Sequence, residues 1–354
     1  MNALAVGCLS LIVTCTAMPL VRYAAMRWGF VDHPDGPLKP QMRAIPYGGG
    51  IAIAVGMSVV LSWARPGLPV IPVIGAMMVL LLGIVDDAVD VRPLGRLVVG
   101  LLAGSTLLVL WPFAVSQWSS AVLAGTCCAV LASASMNAYN MTDGSDGLSG
   151  TVGLFAAGGL LVGWLLAGET VLMSIAAASC GSIVGFLIFN WPPARVYLGD
   201  SGAYWMGFLL TALCVPALSS WHAVVGVMCI MALLELELLA SVLRRIRGHQ
   251  GLTGGDRGHI YDVIQLGLGQ SATWVDVLYG VIGLVSSGIG VLVWRGTPAI
   301  LGLAWLAVLS VLVVLLYQGS SSRKGVVRRT FRYLLNGLMQ VMSQLCWTSS
   351  GAIT

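Results

Sequence analysis

Uncharged apolar stretches such as VGCLSLIVTCTAMPLV, VIPVIGAMMVLLLGIV and ILGLAWLAVLSVLVVLLY recur along the whole chain, and they constrain its fold more than any other feature. About 20 apolar residues in a helix reach across the hydrocarbon core of a bilayer. Hydrophobic residues make up 58% of the 354 and charged ones only 9%, against roughly 25% charged in a soluble domain, so no large water-facing surface can be built. The chain therefore reads as an all-α, polytopic membrane protein. Eleven apolar runs are bounded by polar or Gly/Pro breaks, at roughly 3–21, 48–64, 69–85, 97–114, 119–136, 151–167, 171–189, 202–219, 222–243, 274–294 and 299–317. The first has no basic residue ahead of it and no small-residue cleavage site, so it reads as a retained span, not a signal peptide.

Charge placement orients the spans. Of the 18 Lys and Arg residues, only Arg65 and Arg295 fall in one alternate set of loops; all the others fall in the second set. The positive-inside rule makes that second face cytoplasmic, with the N-terminus outside and the C-terminus inside. Asp32, Asp35, Asp86, Asp87, Asp90, Asp143, Asp146, Asp200, Asp256 and Asp262 lie on this same face, while Glu169 stands on the other. The rule does not require acids to follow bases, so the chemistry is expected here. Residues 1–319 read as one integral membrane catalytic domain, and 320–354 as a basic cytoplasmic tail that can lie on the lipid surface as an amphipathic helix. The eight cysteines include no CxxC pair, so neither a zinc site nor a disulfide framework is indicated.

Five stretches on that face carry candidate residues. VDHPDGPLKPQMRAIPYGGG (31–50) is broken by Pro and Gly until a span begins, and offers Lys39 and Arg43 as phosphate-binding cations. GIVDDAVDVRPLGR (83–96) gathers Asp86, Asp87 and Asp90 within one helical turn at the C-terminal end of a span, where the helix dipole disfavours negative charge. Either Arg92 and Arg96 or a divalent metal should compensate them. NAYNMTDGSDGLSG (137–150) spaces Asn137, Asn140, Asp143 and Asp146 by three, which on a helix keeps the four on one slowly drifting stripe. Gly144 and Gly147 within it suggest a tight turn, or backbone brought close to a ligand. In NWPPARVYLGDSGAYWMG (190–207), Asp200 precedes a span whose N-terminus it could cap, and Arg195 could pair with it or with a phosphate. RRIRGHQGLTGGDRGHIYD (244–262) holds Arg257 and His259 in a glycine-rich basic loop suited to closing over an anion. Glu235 and Glu237 lie inside a span; two residues apart, they point about 200° from each other, so at most one should face a shared pocket.

Taken in order, NAYNMTDGSDGLSG, VDDAVD and YLGDSGA resemble the Asn-rich DGxDG signature, the aspartate pair and the GDxGS element of the polyprenyl-phosphate N-acetylhexosamine-1-phosphate transferases. The likeness spans roughly residues 31 to 262. It implies transfer of a sugar-1-phosphate, from an N-acetylated hexosamine or 6-deoxy amino sugar, out of a UDP-sugar donor onto polyprenyl phosphate, with release of UMP. It also implies Mg²⁺, or Mn²⁺ in its place, as cofactor. By position, Asp200 and Asp87 would hold the metal, and Asp86 and Asp87 would act on the lipid phosphate. Asn140, Asp143, Asp146, Gly144, His259 and Arg257 would hold the nucleotide-sugar, and Lys39, Arg43 and Arg195 phosphate groups. The family's acid in the ninth span corresponds to Glu235. HIYD replaces the His-x-His that the hexosamine branch often carries. The alternatives are a phospho-N-acetylmuramoyl-pentapeptide transferase and, from another class, a secondary transporter. Membrane lipid is the surrounding partner, a homodimer is left open, and no nucleic acid is expected.

Overall fold

The computed structural model describes residues 2–34, 44–64, 67–111, 118–249 and 258–321. Where described, each of the eleven apolar runs is mainly helical: α1 (Ala3–Arg27), α2 (Gly49–Ala64), α3 (Val70–Val89), α4 (Pro93–Ser105), α5 (Trp118–Thr142), α6 (Leu148–Ala167), α7 (Thr170–Asn190), α8 (Gly199–Cys214) and α9 (Trp221–Arg247). After the short turn α10 (Ile260–Asp262) come α11 (Ala272–Trp294) and α12 (Ala299–Ser321). Nine helical segments among the described residues are long and apolar enough to cross a membrane; α2 and α8, at 16 residues each, are shorter. Large apolar side chains such as Leu4, Val59, Leu102, Leu165, Leu284 and Val311 stand exposed on the outer faces. So much exposed apolar surface suits lipid and not water. This is a multi-pass membrane protein.

One small departure from an all-helical chain lies in the first loop. Val31–Asp32 (β1) pairs antiparallel with Ile45–Pro46 (β2), setting Val31 against Pro46 and Asp32 against Ile45. Short hydrogen-bonded ladders of this kind leave little period-2 pattern to read.

Helix α8 is the axis of the molecule. Fourteen of its 16 residues are buried, among them Tyr204, Trp205 and Phe208. It packs against α5, α3 and α2. Glycines make this enclosure close enough to exclude side chains: a Cβ on Gly50 of α2 would overlap the backbone of Gly202, and one on Gly83 of α3 would overlap that of Ser201. Small residues at helix crossings allow such approach, which in lipid replaces hydrophobic burial as the source of association. The first turn of α8 is thereby pressed between two other helices.

Candidate active site

The first turn of an α-helix has N–H groups without intrahelical partners. In α8 they are satisfied from another helix. Asp200 N–H donates to Asp87 Oδ1 at 2.7 Å and Ser201 N–H to Asp87 Oδ2 at 3.1 Å. Gly199 has φ +75°, and a Cβ there would lie 2.7 and 2.9 Å from the Asp87 oxygens. Glycine is thus needed both for the backbone conformation and for the carboxylate's approach. Because Asp87 caps α8 across the interface, Asp200 is not required to cap its own helix, and its carboxylate can face outward.

Asp86, one residue earlier, turns the other way into full burial at 4% exposure. It accepts from Val91 N–H at 2.8 Å and Tyr204 O–H at 2.7 Å, and pairs with Arg96 Nε at 2.9 Å. Arg96 also donates to the Val91 carbonyl and to Asp90. The compensation expected at the end of α3 is thus the Arg96 guanidinium. Two donors and the Arg96 ion pair hold Asp86, so it ties the α3–α4 corner to α8; the sequence suggested contact with substrate. Tyr204→Phe should strip one donor from a buried carboxylate and cost about 1–3 kcal/mol. A lowered thermal midpoint of the detergent-solubilised protein would register it; an unchanged midpoint would contradict this assignment.

The stripe expected along 137–146 holds only in its first half. Helix α5 runs through Asn137 and Asn140 and ends at Thr142; Gly147, at φ +78°, then reverses the chain before α6. The Asn137 side chain donates to Ser133 O at 2.7 Å within its own helix. Asn140 Nδ2 crosses to donate to Asp200 Oδ1. Asp143 accepts from Ser149 Oγ at 2.7 Å. It keeps some contact with solvent but sits deep among protein atoms; that burial first, then the charges of Asp200 and Asp87, push its pKa up to about 8 against the opposing hydrogen bonds of Ser149 and the Gly199 N–H. Asp146 diverges, accepting from Ala194 N–H at 2.9 Å. Asn190 completes that join: it accepts from Gly147 N–H and donates to Val196 O, each at 2.9 Å. Asp146 and Asn190 therefore brace the turn on the loop leading to α8.

Other elements close around this centre. The Tyr47 O–H donates to Asp32 Oδ1 at 2.8 Å; burial, Asp32, and then the charges of Asp87 and Asp200 all push its pKa up, which places the first loop beside the same carboxylates. Gly49 and Gly50 N–H donate to Tyr197 O and Leu198 O at 2.9 and 3.0 Å, joining the glycine run to the approach to α8. From the far end of the chain, Tyr261 reaches Gly144 so closely that any Cβ there would overlap its hydroxyl. The His259 and Tyr261 rings stack 5.4 Å apart at 2°.

Glu237 holds this last segment. It is fully buried and accepts from Ile260 N–H at 3.0 Å, Tyr261 N–H at 3.3 Å and Tyr279 O–H at 2.5 Å, with His259 Nδ1 at 3.9 Å. Glu235 is exposed at its surface and lies near Cys214 and Cys229. The two acids part as the helical spacing requires, and Glu237 is the one that holds this last segment. Glu237→Ala should release residues 258–262, raising KM for the donor about tenfold or more, the equivalent of ~1.4 kcal/mol. Steady-state kinetics with varied donor would check this, since unaltered KM contradicts a donor-side role.

Arg195 is spent locally: its guanidinium donates to Ile188 O at 2.5 Å and lies over the Phe189 ring at 5.1 Å. Lys39, Arg43 and Arg257 lie outside the described residues. Asp87, Asn140, Asp143 and Asp200 are brought together; Asp86, Asp146 and Arg195 are turned to other partners. Asn190, Tyr204, Tyr47 and Tyr261 went unread in the sequence because uncharged hydrogen-bonding residues carry no periodic or charge signal.

Among the described residues, no three acidic, His or Cys side chains are close enough to hold a metal unaided. Mg²⁺ seldom uses such a cage; one or two carboxylates plus substrate phosphates suffice. Asp143 and Asp200, near each other and recessed, match that smaller donor set.

The pattern described as "Glycosyl transferase family 4" matches residues 70–217, the interval holding every member of this cluster. A phospho-N-acetylmuramoyl-pentapeptide-transferase of Synechococcus sp. is 30% identical over 272 residues, covering 69% of this chain and 74% of that protein. The chain belongs to glycosyl transferase family 4. Within it, a Bacillus subtilis protein named "Probable undecaprenyl-phosphate N-acetylglucosaminyl 1-phosphate transferase" is 25% identical over 340 residues, covering 91% of this chain and 92% of its own length. A decaprenyl-phosphate N-acetylglucosaminephosphotransferase of Mycolicibacterium smegmatis is 26% identical, over 80% of each chain.

Proposed function

We propose that this chain transfers an N-acetylhexosamine-1-phosphate from a UDP-sugar to a polyprenyl phosphate, releasing UMP, on the cytoplasmic face of the inner membrane. The observation that carries the reading is the meeting of Asp87, Asn140, Asp143 and Asp200, contributed by the ends of α3 and α5 and the start of α8. The charge asymmetry of the loops supports the cytoplasmic assignment.

The chemistry exchanges one phosphoanhydride for another. An oxygen of the lipid phosphate attacks the sugar-bearing phosphorus in line, the new P–O bond forms, and the bond to the bridging oxygen breaks, leaving UMP with that electron pair. Such a reaction needs positioning and charge neutralisation more than proton transfer. Asp143 and Asp200 would hold Mg²⁺ together with the donor diphosphate. When bound, that ion neutralises charge on the diphosphate and on the departing UMP. Asn140 orients Asp200 through its amide, and Asp87 holds the start of α8 so that Asp200 stays in place. No side chain has to supply a base, because a phosphate monoester with a second pKa of about 6 is already largely dianionic at neutral pH.

Purified protein should release UMP from UDP-GlcNAc or a related amino-sugar nucleotide only when polyprenyl phosphate and Mg²⁺ or Mn²⁺ are present, and EDTA should stop it. Including UDP-MurNAc-pentapeptide as a donor tests the muramoyl branch represented by the Synechococcus relative. Solute uptake into proteoliposomes, with no UMP from any donor, would replace the reading with a transporter. A phosphosugar-enzyme adduct trapped without lipid would replace direct attack with an aspartyl intermediate.

A further inference from the structure

Beside Gly147 lies a feature to which the proposed transfer assigns no role. A groove of about 290 Å³ opens between α6, α7 and α11, walled by Phe155, Leu187, Val281 and Leu284. Two polar groups lining it have no hydrogen-bond partner among the described residues: the Thr151 hydroxyl and both oxygens of Asp276. Asp276 is fully buried, and its Oδ2 lies so close to Gly147 that a Cβ there would overlap it. The nearby charge is Asp146, of the same sign. Among the described residues no Lys or Arg lines the groove.

A carboxylate removed from water without donors is costly, and ionisable residues within membrane helices usually face a partner or a pathway. The missing partner must be a donor, must carry positive charge to offset Asp276 and Asp146, and must bring an apolar portion to cover the groove. Trp191, 42% exposed at the rim, is an aromatic suited to the headgroup level.

We propose that this groove binds an aminophospholipid, its primary ammonium on Asp276 with Thr151 beside it, and one acyl chain along Phe155, Leu187, Val281 and Leu284. An anionic headgroup is disfavoured by the same two carboxylates, which separates this site from any that takes the polyprenyl phosphate. The bound head would sit close to Gly147, in the turn that also carries Asp143.

Native mass spectrometry of the delipidated, full-length protein titrated with chain-matched phosphatidylethanolamine, phosphatidylcholine and phosphatidylglycerol tests this, with no dependence on catalysis. Phosphatidylethanolamine should bind about tenfold tighter than phosphatidylglycerol, and tighter than phosphatidylcholine, whose head lacks N–H donors. Asp276→Asn, nearly isosteric, should bring the three within about twofold, and Val281→Trp, which fills the groove from the lipid side, should weaken all three. Equal binding of the lipids by the wild type, or a preference that survives Asp276→Asn, overturns the proposal. So does displacement of phosphatidylethanolamine by polyprenyl phosphate at one-to-one stoichiometry. Loss of UMP release with this lipid preference intact would sink the transferase reading and leave the lipid site standing.

Discussion

Asp200→Asn is expected to lower UMP release about a thousandfold, the scale on which removing one electrostatic stabiliser of a developing charge acts. The substitution keeps the volume and leaves an oxygen for the Asn140 amide, while Asp87 still receives the first N–H groups of α8. What it deletes is a unit of negative charge beside the diphosphate. Thermal stability should therefore be unchanged or raised, because the charges of Asp87 and Asp86 bear on Asp200. Asp143→Asn should behave alike, keeping the contact with Ser149. Measuring turnover against Mg²⁺ concentration for both variants would give the decision. Retention of more than a tenth of wild-type turnover at ordinary Mg²⁺ would remove the two carboxylates from the centre of the reaction.

Gly83→Ala and Gly50→Ala should be strongly destabilising. At Gly83 the new carbon would overlap the Ser201 Cα and backbone N, and at Gly50 the Gly202 N and Cα. Backbone cannot rotate out of the way as a side chain can, so the cost should stand at or above the usual overpacking range of about 1–3 kcal/mol. Since net stabilities are only ~5–15 kcal/mol, the loss would be visible. The first turn of α8 would also shift away from Asp87 and Asp143, and activity should fall with it. Gly158→Ala and Gly288→Ala are the matched comparison, since a Cβ at either meets nothing within 4 Å. These should be neutral or gain slightly from helix propensity. Yield of monodisperse protein after detergent extraction, together with the thermal midpoint, would separate the two pairs. Equal behaviour of all four would mean that the helices do not approach as closely as described.

The fold was legible because the apolar runs are long and the bilayer leaves the backbone few options. Where described, each run became mainly helical, although α5 and α9 continue several residues past the runs at 119–136 and 222–243. The extension of α5 matters, because it carries Asn140 to the point where it meets Asp200. The site was legible by residue type and less so by role. VDDAVD contains two adjacent carboxylates that no local rule distinguishes. Successive residues on a helix point about 100° apart, so one enters the core toward Tyr204 and Arg96 while the other reaches the backbone of α8. Asp143 and Asp146 divided likewise because α5 ends at Thr142, before either of them. Asp276, the third residue of the apolar run at 274–294, is an acid whose full burial appears only once α6 packs against α11.

By itself, then, the sequence determined that the chain lives in lipid, which loops concentrate its acids, and which chemistry those motifs resemble. Only the tertiary structure decided that Asp87 braces a helix 113 residues away, that Asp86 is held by Val91, Tyr204 and Arg96, and that Glu237 receives the Ile260 N–H. The physical reason is that hydrophobicity and charge are properties of a residue and are written locally. A hydrogen-bond commitment belongs to a pair, and the partner exists only after the helices have met.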